Sequence, residues 1–331
     1  MQKDHLFNGD YSRWSSFNAT ATATRKCSIE ERLHHTREMC RAWLKTRAKK
    51  PSKMTYRNIV VDQKHEILLC VPYKSGASTH LNLLAQNSDA VLNHEIPKEE
   101  LDGILQSLSR VESRKRVGLQ NFVKFSIPER KRMLREYYKV MVVRHPLVRL
   151  LSMYSNKVAQ YNPLTNMWDC SKNYYGKYLQ GWISKHHPHK TGNCSLDMFV
   201  DYFVNHKRMM YSDMHTAPMH AWCNPCDIPY DYIVRLETGD SDQEYLLKNK
   251  LNPNFGKILH ENPQLSKTIK QSSGFLNSWQ QFQEVSKQQI EGLLENYGPD
   301  LALFGYEFQR HESGSIKTRC NVQTGNSDTC C

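Results

Sequence analysis

Two short apolar runs constrain the fold of this chain more than any other feature, because a helical pattern follows each of them. Residues 67–71 and 140–143 are consecutive apolar side chains, and runs of this length are typical of buried strands. Residues 232–236 form a third strand candidate. Strands that alternate with helices predict an α/β fold with a central, mainly parallel sheet flanked by helices.

The segment after the first run has the composition of a phosphate-binding loop. Ligands of parallel sheets bind beyond the carboxyl ends of the strands, where a loop entering a helix presents free backbone N–H groups. The candidate binding residues are Lys74, Ser75, Gly76, Ala77, Ser78 and Thr79. An ordinary turn with a helix cap is the alternative. A P-loop kinase is disfavoured, because the lysine precedes the glycine here and follows it in a Walker A loop.

The segment after the second run carries a second candidate anion site. Arg144 follows the strand, and Pro146 suits the first turn of a helix. An arginine can hold a phosphate through two parallel hydrogen bonds, and Ser152 further along the helix can add a third. The alternatives are that Arg144 caps a carbonyl group, that Ser152 is a surface residue and that Arg149 is solvated.

Together the two segments resemble the signatures with which sulfotransferases bind 3′-phosphoadenosine 5′-phosphosulfate (PAPS). The second segment contains the pattern Arg-x-Pro-x-x-Arg-Leu-x-Ser-x-Tyr over residues 144–154. Downstream, the chain is similar to the Golgi carbohydrate sulfotransferases that act on N-acetylgalactosamine or glucuronic acid. That similarity rests on the segments His215–Pro218, Cys223–Cys226, Tyr230–Asp231, Glu237–Thr238 and Tyr297–Asp300.

The resemblance implies a P-loop-like sulfotransferase fold and a carbohydrate O-sulfotransferase that uses PAPS and no metal. It places Lys74 beside the bridging oxygen of the donor, and Arg144 and Ser152 on the 3′-phosphate. It also implies an acidic glycan acceptor such as a chondroitin or dermatan chain, which suits the formal net charge of +12. Nucleic acid is not an expected partner, because the usual motifs are missing. The alternative function is an inactive, sulfotransferase-like protein that binds glycans.

The acceptor hydroxyl has to lose its proton during transfer, and histidine titrates closest to neutral pH. His215 is the predicted catalytic base, because it lies in a segment that resembles the family. His220 is the nearest rival, and Glu237 is a possible carboxylate base. A packing or hydrogen-bonding role for His215 remains open.

The cysteines and sequons indicate an oxidising compartment. The chain has ten cysteines, of which the disulfide candidates are Cys170, Cys194, Cys223 and Cys226. The last two bond either each other or the first two. A zinc site at this Cys-x-x-Cys pair is less favoured, because a second pair is missing. Asn18 and Asn193 begin glycosylation sequons. We therefore expect the protein to reside in the Golgi lumen.

The chain is expected to contain one catalytic domain. Residues 1–57 are predicted to be a basic, peripheral N-terminal extension, residues 58–310 the sulfotransferase domain, and residues 311–331 a polar tail. Residues 160–195 are predicted to be a loop. No stretch of about 18 apolar residues is present, so membrane attachment is expected only through an N-terminal anchor that this sequence lacks.

Overall fold

The computed structural model describes residues 29–46, 56–165, 167–190, 194–238, 242, 282–306, 309–310 and 316–317. Its strands are β1 Ile59–Asp62, β2 Ile67–Cys70, β3 Leu119–Asn121, β4 Tyr138–Val143, β5 Ala159–Asn162, β6 Met167–Cys170, β7 Tyr232–Arg235, β8 Gln309–Arg310 and β9 Ile316–Lys317. Five of them form the central sheet in the order β3-β1-β2-β4-β7. The pairs β5-β6 and β8-β9 are separate hairpins.

Helices surround this sheet, as the alternating sequence pattern predicts. They are α1 Ile29–Thr46, α2 Ala77–Gln86, α3 Asp89–Leu92, α4 Lys98–Gln106, α5 Val111–Arg116, α6 Ile127–Glu136, α7 Pro146–Met153, α8 Tyr174–His186, α9 Leu196–Asn205, α10 Lys207–Ser212, α11 Met219–Cys223 and α12 Lys287–Phe304. The predicted α/β fold is confirmed. None of the helices in the described parts of the chain is long and apolar enough to cross a bilayer.

The strands of the central sheet are nearly all apolar because both faces of the sheet are covered. Ile67, Leu69 and Val140 belong to a cluster that includes residues of α2 and α4. Leu68 and Met141, which alternate with them along β2 and β4, belong to a second cluster that includes residues of α11 and α12. Alternate side chains of a strand point to opposite faces, so each run supplies two cores.

The parallel part of the sheet determines where the candidate site lies. β4 pairs in parallel with β2 and with β7, in the registers Cys70 to Met141 and Val143 to Arg235. The carboxyl ends of these three strands therefore share one edge of the sheet. β1 is antiparallel to β2 and β3, and β1 and β3 extend the sheet on the side of β2.

The prediction of a loop over residues 160–195 is wrong for most of that range. The segment contains the hairpin β5-β6 and the thirteen-residue helix α8. Only Gly176, Leu179 and Ile183 of α8 are fully buried, and lysine, tyrosine and glycine occupy its outer face. That composition obscures the helical spacing, and packing against α9 stabilises the helix.

Helix α1 is part of the packed domain, although residues 1–57 were expected to be peripheral. Arg32, Thr36 and Cys40 are buried, and Arg32 forms a buried ion pair with Asp242. The helix packs against α12 and β7. Asn18 and most of residues 1–57 and 311–331 lie outside the described residues.

Among the described residues, three disulfides connect separate segments of the chain. Cys170 pairs with Cys194, whereas Cys223 pairs with Cys70 and Cys226 with Cys40. The last two cysteines therefore bond neither each other nor the first pair, and α1 and β2 supply their partners. Because both are oxidised, the Cys-x-x-Cys pair offers no thiolates to zinc. Asn193 lies outside the described residues.

Candidate functional site

The β2–α2 loop, residues 71–76, turns tightly at the shared edge of the sheet. The backbone N–H of Ser75 donates to the carbonyl of Pro72 at 3.0 Å, and Lys74 and Gly76 have φ angles of 69° and 82°. A Cβ atom on Gly76 would lie 2.9 Å from Cδ1 of Leu236, at the end of β7. Only glycine fits without strain, so the loop lies against the sheet and delivers the first turn of α2 to this edge.

That first turn provides backbone donors of the kind that an anion site requires. The N–H groups of residues 77–79 belong to the set that a helix leaves without an intrahelical acceptor. Ser78 is exposed, whereas the side chains of Ser75 and Thr79 are buried. The Ser75 hydroxyl lies 3.9 Å from the sulfur of Met219. The structure thus exposes some of the predicted loop side chains and turns others inward.

Lys74 lies among other cations. Its ammonium group donates to the side-chain oxygen of Asn156, in the π-helical turn Tyr154–Val158 after α7. Burial, together with Lys157 and Arg144, lowers the pKa of Lys74 to about 8. Clustered cations that disfavour each other's charge form a site that an anion would stabilise.

Arg144 holds the β2–α2 loop from the end of β4. The residue is buried, and its Nη1 donates to the carbonyl of Lys74 at 2.8 Å. This is the carbonyl-capping role that the sequence left as an alternative. Next to it, Glu237 accepts from the backbone N–H of His145 at 2.7 Å and from the hydroxyl of Tyr306 at 2.8 Å. Glu237 therefore has a bracing role between β4 and β7 and is less suited to act as a base.

Arg149 is fully buried, so the interpretation that it is solvated is wrong. Its Nε donates to the carbonyl of Tyr73 at 2.8 Å, and its Nη1 donates to that of Ala217 at 2.8 Å. A third contact, from Nη2, reaches the carbonyl of Met214 at 3.4 Å. One guanidinium group thus joins the β2–α2 loop to the segment that contains His215. Ser152 is half-buried and follows Arg149 by three residues, on the same face of α7.

His215 belongs to a hydrogen-bonded group with Asp213 and Tyr175. Its Nδ1 lies 3.1 Å from the hydroxyl of Tyr175 and 3.3 Å from Oδ1 of Asp213. The tyrosine hydroxyl also donates to Oδ2 of Asp213 at 2.9 Å. Although burial acts to raise it, the hydrogen bonds from His215 and Tyr175 lower the pKa of Asp213. An ionised Asp213 keeps the proton of the neutral imidazole on Nδ1 and leaves Nε2 as the proton acceptor.

The same histidine lies beside the β2–α2 loop. The ring of Tyr73 is 5.1 Å from the ring of His215, centroid to centroid. Tyr73 therefore lies between the two candidates: its ring contacts the ring of His215, and Lys74 is the next residue in the chain. This places the candidate base and the cationic candidate anion site at the same edge of the sheet.

His220 has a structural environment. Its Nδ1 lies 2.8 Å from Oδ1 of Asp300, and the ring of Trp43 covers it at 5.1 Å. Both His220 and Asp300 are buried, and Asp300 also accepts from the backbone N–H groups of Met219 and His220. This arrangement caps α11 and leaves His220 poorly placed to reach a substrate.

Sequence reasoning did not identify three of the residues that organise the site. Asp213 precedes His215 by two residues, and an Asp-x-His spacing was a usable signal for it. Tyr175 and Asn156 carry no local signal, because each reaches the site only through tertiary folding. Within the described part of the chain, no group of three His, Cys, Asp or Glu side chains is arranged to hold a metal ion.

Comparison with known proteins adds a family match. Residues 57–307 match the model described as "Sulfotransferase family". Carbohydrate sulfotransferase 10 of Pongo abelii is 28% identical over 289 residues, which cover 84% of this chain and 75% of the relative. Carbohydrate sulfotransferase 14 of Danio rerio is 25% identical over 254 residues, which cover 77% and 63%. Carbohydrate sulfotransferase 11 of Rattus norvegicus is 25% identical over 262 residues, which cover 76% and 67%. No solved structure matches the chain.

Proposed function

Because the chain belongs to the sulfotransferase family, we propose that the edge formed by β2, β4 and β7 binds PAPS and passes its sulfuryl group to a hydroxyl of an acidic glycan. The predicted activity, carbohydrate O-sulfotransfer, is confirmed by the family match and by the carbohydrate sulfotransferases that the chain resembles. The observation that carries the finer proposal is the group of bonds from Arg149, which joins a cationic loop to a histidine–aspartate pair.

The β2–α2 loop supports the donor assignment. Gly76 lets the loop pack against Leu236 without a clash, and the start of α2 that follows offers backbone donors. Lys74 is the side chain proposed to neutralise the charge that develops on the leaving oxygen. Arg144 and Ser152 are proposed to bind the 3′-phosphate, since Arg144 is bonded to this loop and Ser152 lies on α7, the helix that begins two residues after Arg144.

His215 is the proposed general base for the sugar hydroxyl. Its Nε2 takes the proton as the hydroxyl oxygen forms a bond to sulfur and the bond from sulfur to the leaving phosphate oxygen breaks. Asp213 stabilises the resulting imidazolium, and Tyr175 fixes the orientation of the carboxylate. A positioned base of this kind contributes about 10²–10⁴-fold to the rate.

Acceptor and compartment follow from chemistry and remain proposals. The net charge of +12 favours a polyanionic acceptor such as a chondroitin or dermatan chain. Three disulfides favour an oxidising compartment, which for a glycan-modifying enzyme is the Golgi lumen. No observation favours the inactive alternative.

The direct test is incubation with PAPS carrying labelled sulfur and a panel of glycans. We expect label in an acidic glycan with the wild-type protein and a loss of about 10²-fold with Lys74→Met or His215→Gln. The His215→Gln variant should keep its affinity for adenosine 3′,5′-bisphosphate in calorimetry. Failure of the wild-type protein to bind that nucleotide, or unchanged turnover in both variants, would contradict the proposal.

A further inference from the structure

A groove lined by aromatic side chains lies on the outer face of α8. Its volume is about 610 Å³, and it is formed by Tyr174, Lys177, Tyr178, Gly181 and Trp182 of α8 and closed by Tyr202 of α9. Tyr174 is 62% exposed and Tyr178 50%, and their ring centroids are 4.8 Å apart. Adjacent exposed aromatic rings at a concave surface are typical of a binding site.

Gly181 is a second sign that the groove is built for a ligand. It lies inside α8, where a glycine destabilises a helix by about 0.5–1 kcal/mol relative to alanine. A Cβ atom at this position would meet nothing within 4 Å, so the packing of the protein does not require glycine there. Because Gly181 has no side chain, the surface of the groove between Tyr178 and Trp182 stays open.

The chemistry of the groove suits sugar rings that carry negative charge. Tyrosine and tryptophan offer flat apolar faces with a polar edge, which match the C–H faces and hydroxyl rims of pyranose rings. Lys177 lies in the groove, and two further exposed lysines lie nearby in the sequence, Lys172 just before α8 and Lys185 in its last turn. These ammonium groups complement the carboxylates of a uronic acid chain.

The groove adjoins the hydrogen-bonded group of the candidate base through neighbouring residues of α8. The ring of Tyr174 lies 5.6 Å from that of Tyr175, and the hydroxyl of Tyr175 contacts both Asp213 and His215. The first turn of α8 therefore contributes one tyrosine to the groove and the next tyrosine to the His215 group.

We propose that the groove of α8 and α9 holds the sugar rings of the acidic acceptor chain that adjoin the ring presented to His215. The proposal rests on the proposed function and names the surface that selects a chain over a single sugar. In this proposal Tyr174, Tyr178 and Lys177 contact the glycan chain. Gly181 leaves the room that the glycan chain occupies.

The sharpest test fills the groove without harming the helix. Gly181→Leu should keep or raise the melting temperature, because leucine is a better helix former, and it should weaken binding of an unsulfated chondroitin hexasaccharide by about tenfold or more. Gly103→Leu is the matched control, since Gly103 also lies exposed in a helix, α4, with nothing within 4 Å of a Cβ atom. It should not change binding. Weaker binding accompanied by a lower melting temperature in Gly181→Leu alone would assign Gly181 to packing and overturn its role.

A second variant tests the rings independently. Tyr174→Ala/Tyr178→Ala should weaken hexasaccharide binding in calorimetry by about tenfold or more, by analogy with the loss of aromatic stacking on nucleic acid bases. Tyr138→Ala, at the opposite end of β4, is the control and should bind normally. Lys177→Gln should narrow the difference in affinity between the hexasaccharide and its carboxyl-reduced, neutral form.

The outcomes separate this proposal from the proposed function. Wild-type affinity for the hexasaccharide in the double tyrosine variant would overturn the groove assignment alone. Absence of hexasaccharide binding by a wild-type protein that binds adenosine 3′,5′-bisphosphate would also overturn the groove and leave the nucleotide site standing. Absence of nucleotide binding would overturn the proposed function.

Discussion

Replacement of Arg149 by lysine tests the connection between the two halves of the site. The guanidinium makes two bonds of 2.8 Å, one to the carbonyl of Tyr73 and one to that of Ala217. A lysine has a single nitrogen and cannot span both segments with the same fork. Because hydrogen bonds to charged groups are worth about 1.5–3 kcal/mol each, loss of one or two should lower the free energy of unfolding by about 3 kcal/mol.

The expected functional loss is larger than the loss of stability alone would produce. Displacement of a reacting group by about 1 Å costs about 10²-fold in rate, so Arg149→Lys should lower kcat by about that factor. Turnover should be measured well below the melting temperature of the variant, and adenosine 3′,5′-bisphosphate binding should be measured in parallel. At that temperature the protein is folded, so a fall in kcat reports geometry.

Arg116→Lys provides the matched control. Arg116 pairs with Glu100 on the surface, and exposed ion pairs contribute about 0–1 kcal/mol. Its melting temperature and kcat should stay near those of the wild-type protein. A kcat within threefold of the wild-type value in Arg149→Lys would refute the positioning role. An unchanged melting temperature would refute the energetic reasoning.

Three further outcomes follow from the same contacts. Donor affinity should fall as the pH rises through about 8, because Lys74 loses its charge there, and Lys74→Arg should remove this fall in a calorimetric pH series. Asp213→Asn should lower kcat by about 10²-fold or more and leave nucleotide affinity unchanged; equal losses in both would contradict its role beside His215. Removal of the Cys70–Cys223 disulfide by a double alanine substitution should cost about 3.7 kcal/mol in urea unfolding. While the neighbouring Cys40–Cys226 disulfide is intact, the Cys70–Cys223 bond closes an additional loop of only about 33 residues. That number is the difference between the sequence separations of 186 and 153. An unchanged free energy of unfolding would show that the neighbouring Cys40–Cys226 disulfide alone restrains the unfolded chain to the same extent.

The strands and the binding loops were readable from the sequence for a local reason. β2, β4 and β7 are buried on both faces, so each contains an apolar run, which in β4 begins after Lys139 and in β7 ends before Arg235. Gly76 and Pro146 mark the starts of the helices that follow, because the backbone at those positions accepts few residue types. Such signals depend on neighbours in the chain and need no knowledge of the fold.

Helix α8 and the N-terminal helix show where local signals end. The outer face of α8 carries lysine and tyrosine that give the segment the composition of a loop, although Leu179 and Ile183 are buried beneath it. In α1, the polar residues Arg32 and Thr36 occupy buried positions because Asp242 and the carbonyl of Leu303 satisfy them. Partners so distant in the sequence leave no periodic trace.

The sequence by itself determined the class of fold, the two candidate anion-binding segments and the family, because each depends on a contiguous pattern of residue types. Tertiary structure alone decided the pairing of Cys70 with Cys223 and the burial of Arg149. It also decided that Asp213 and Tyr175 contact His215. These relations join segments up to about 150 residues apart, and the energy of a hydrogen bond or a disulfide depends on distance in space, which the order of residues along the chain does not specify.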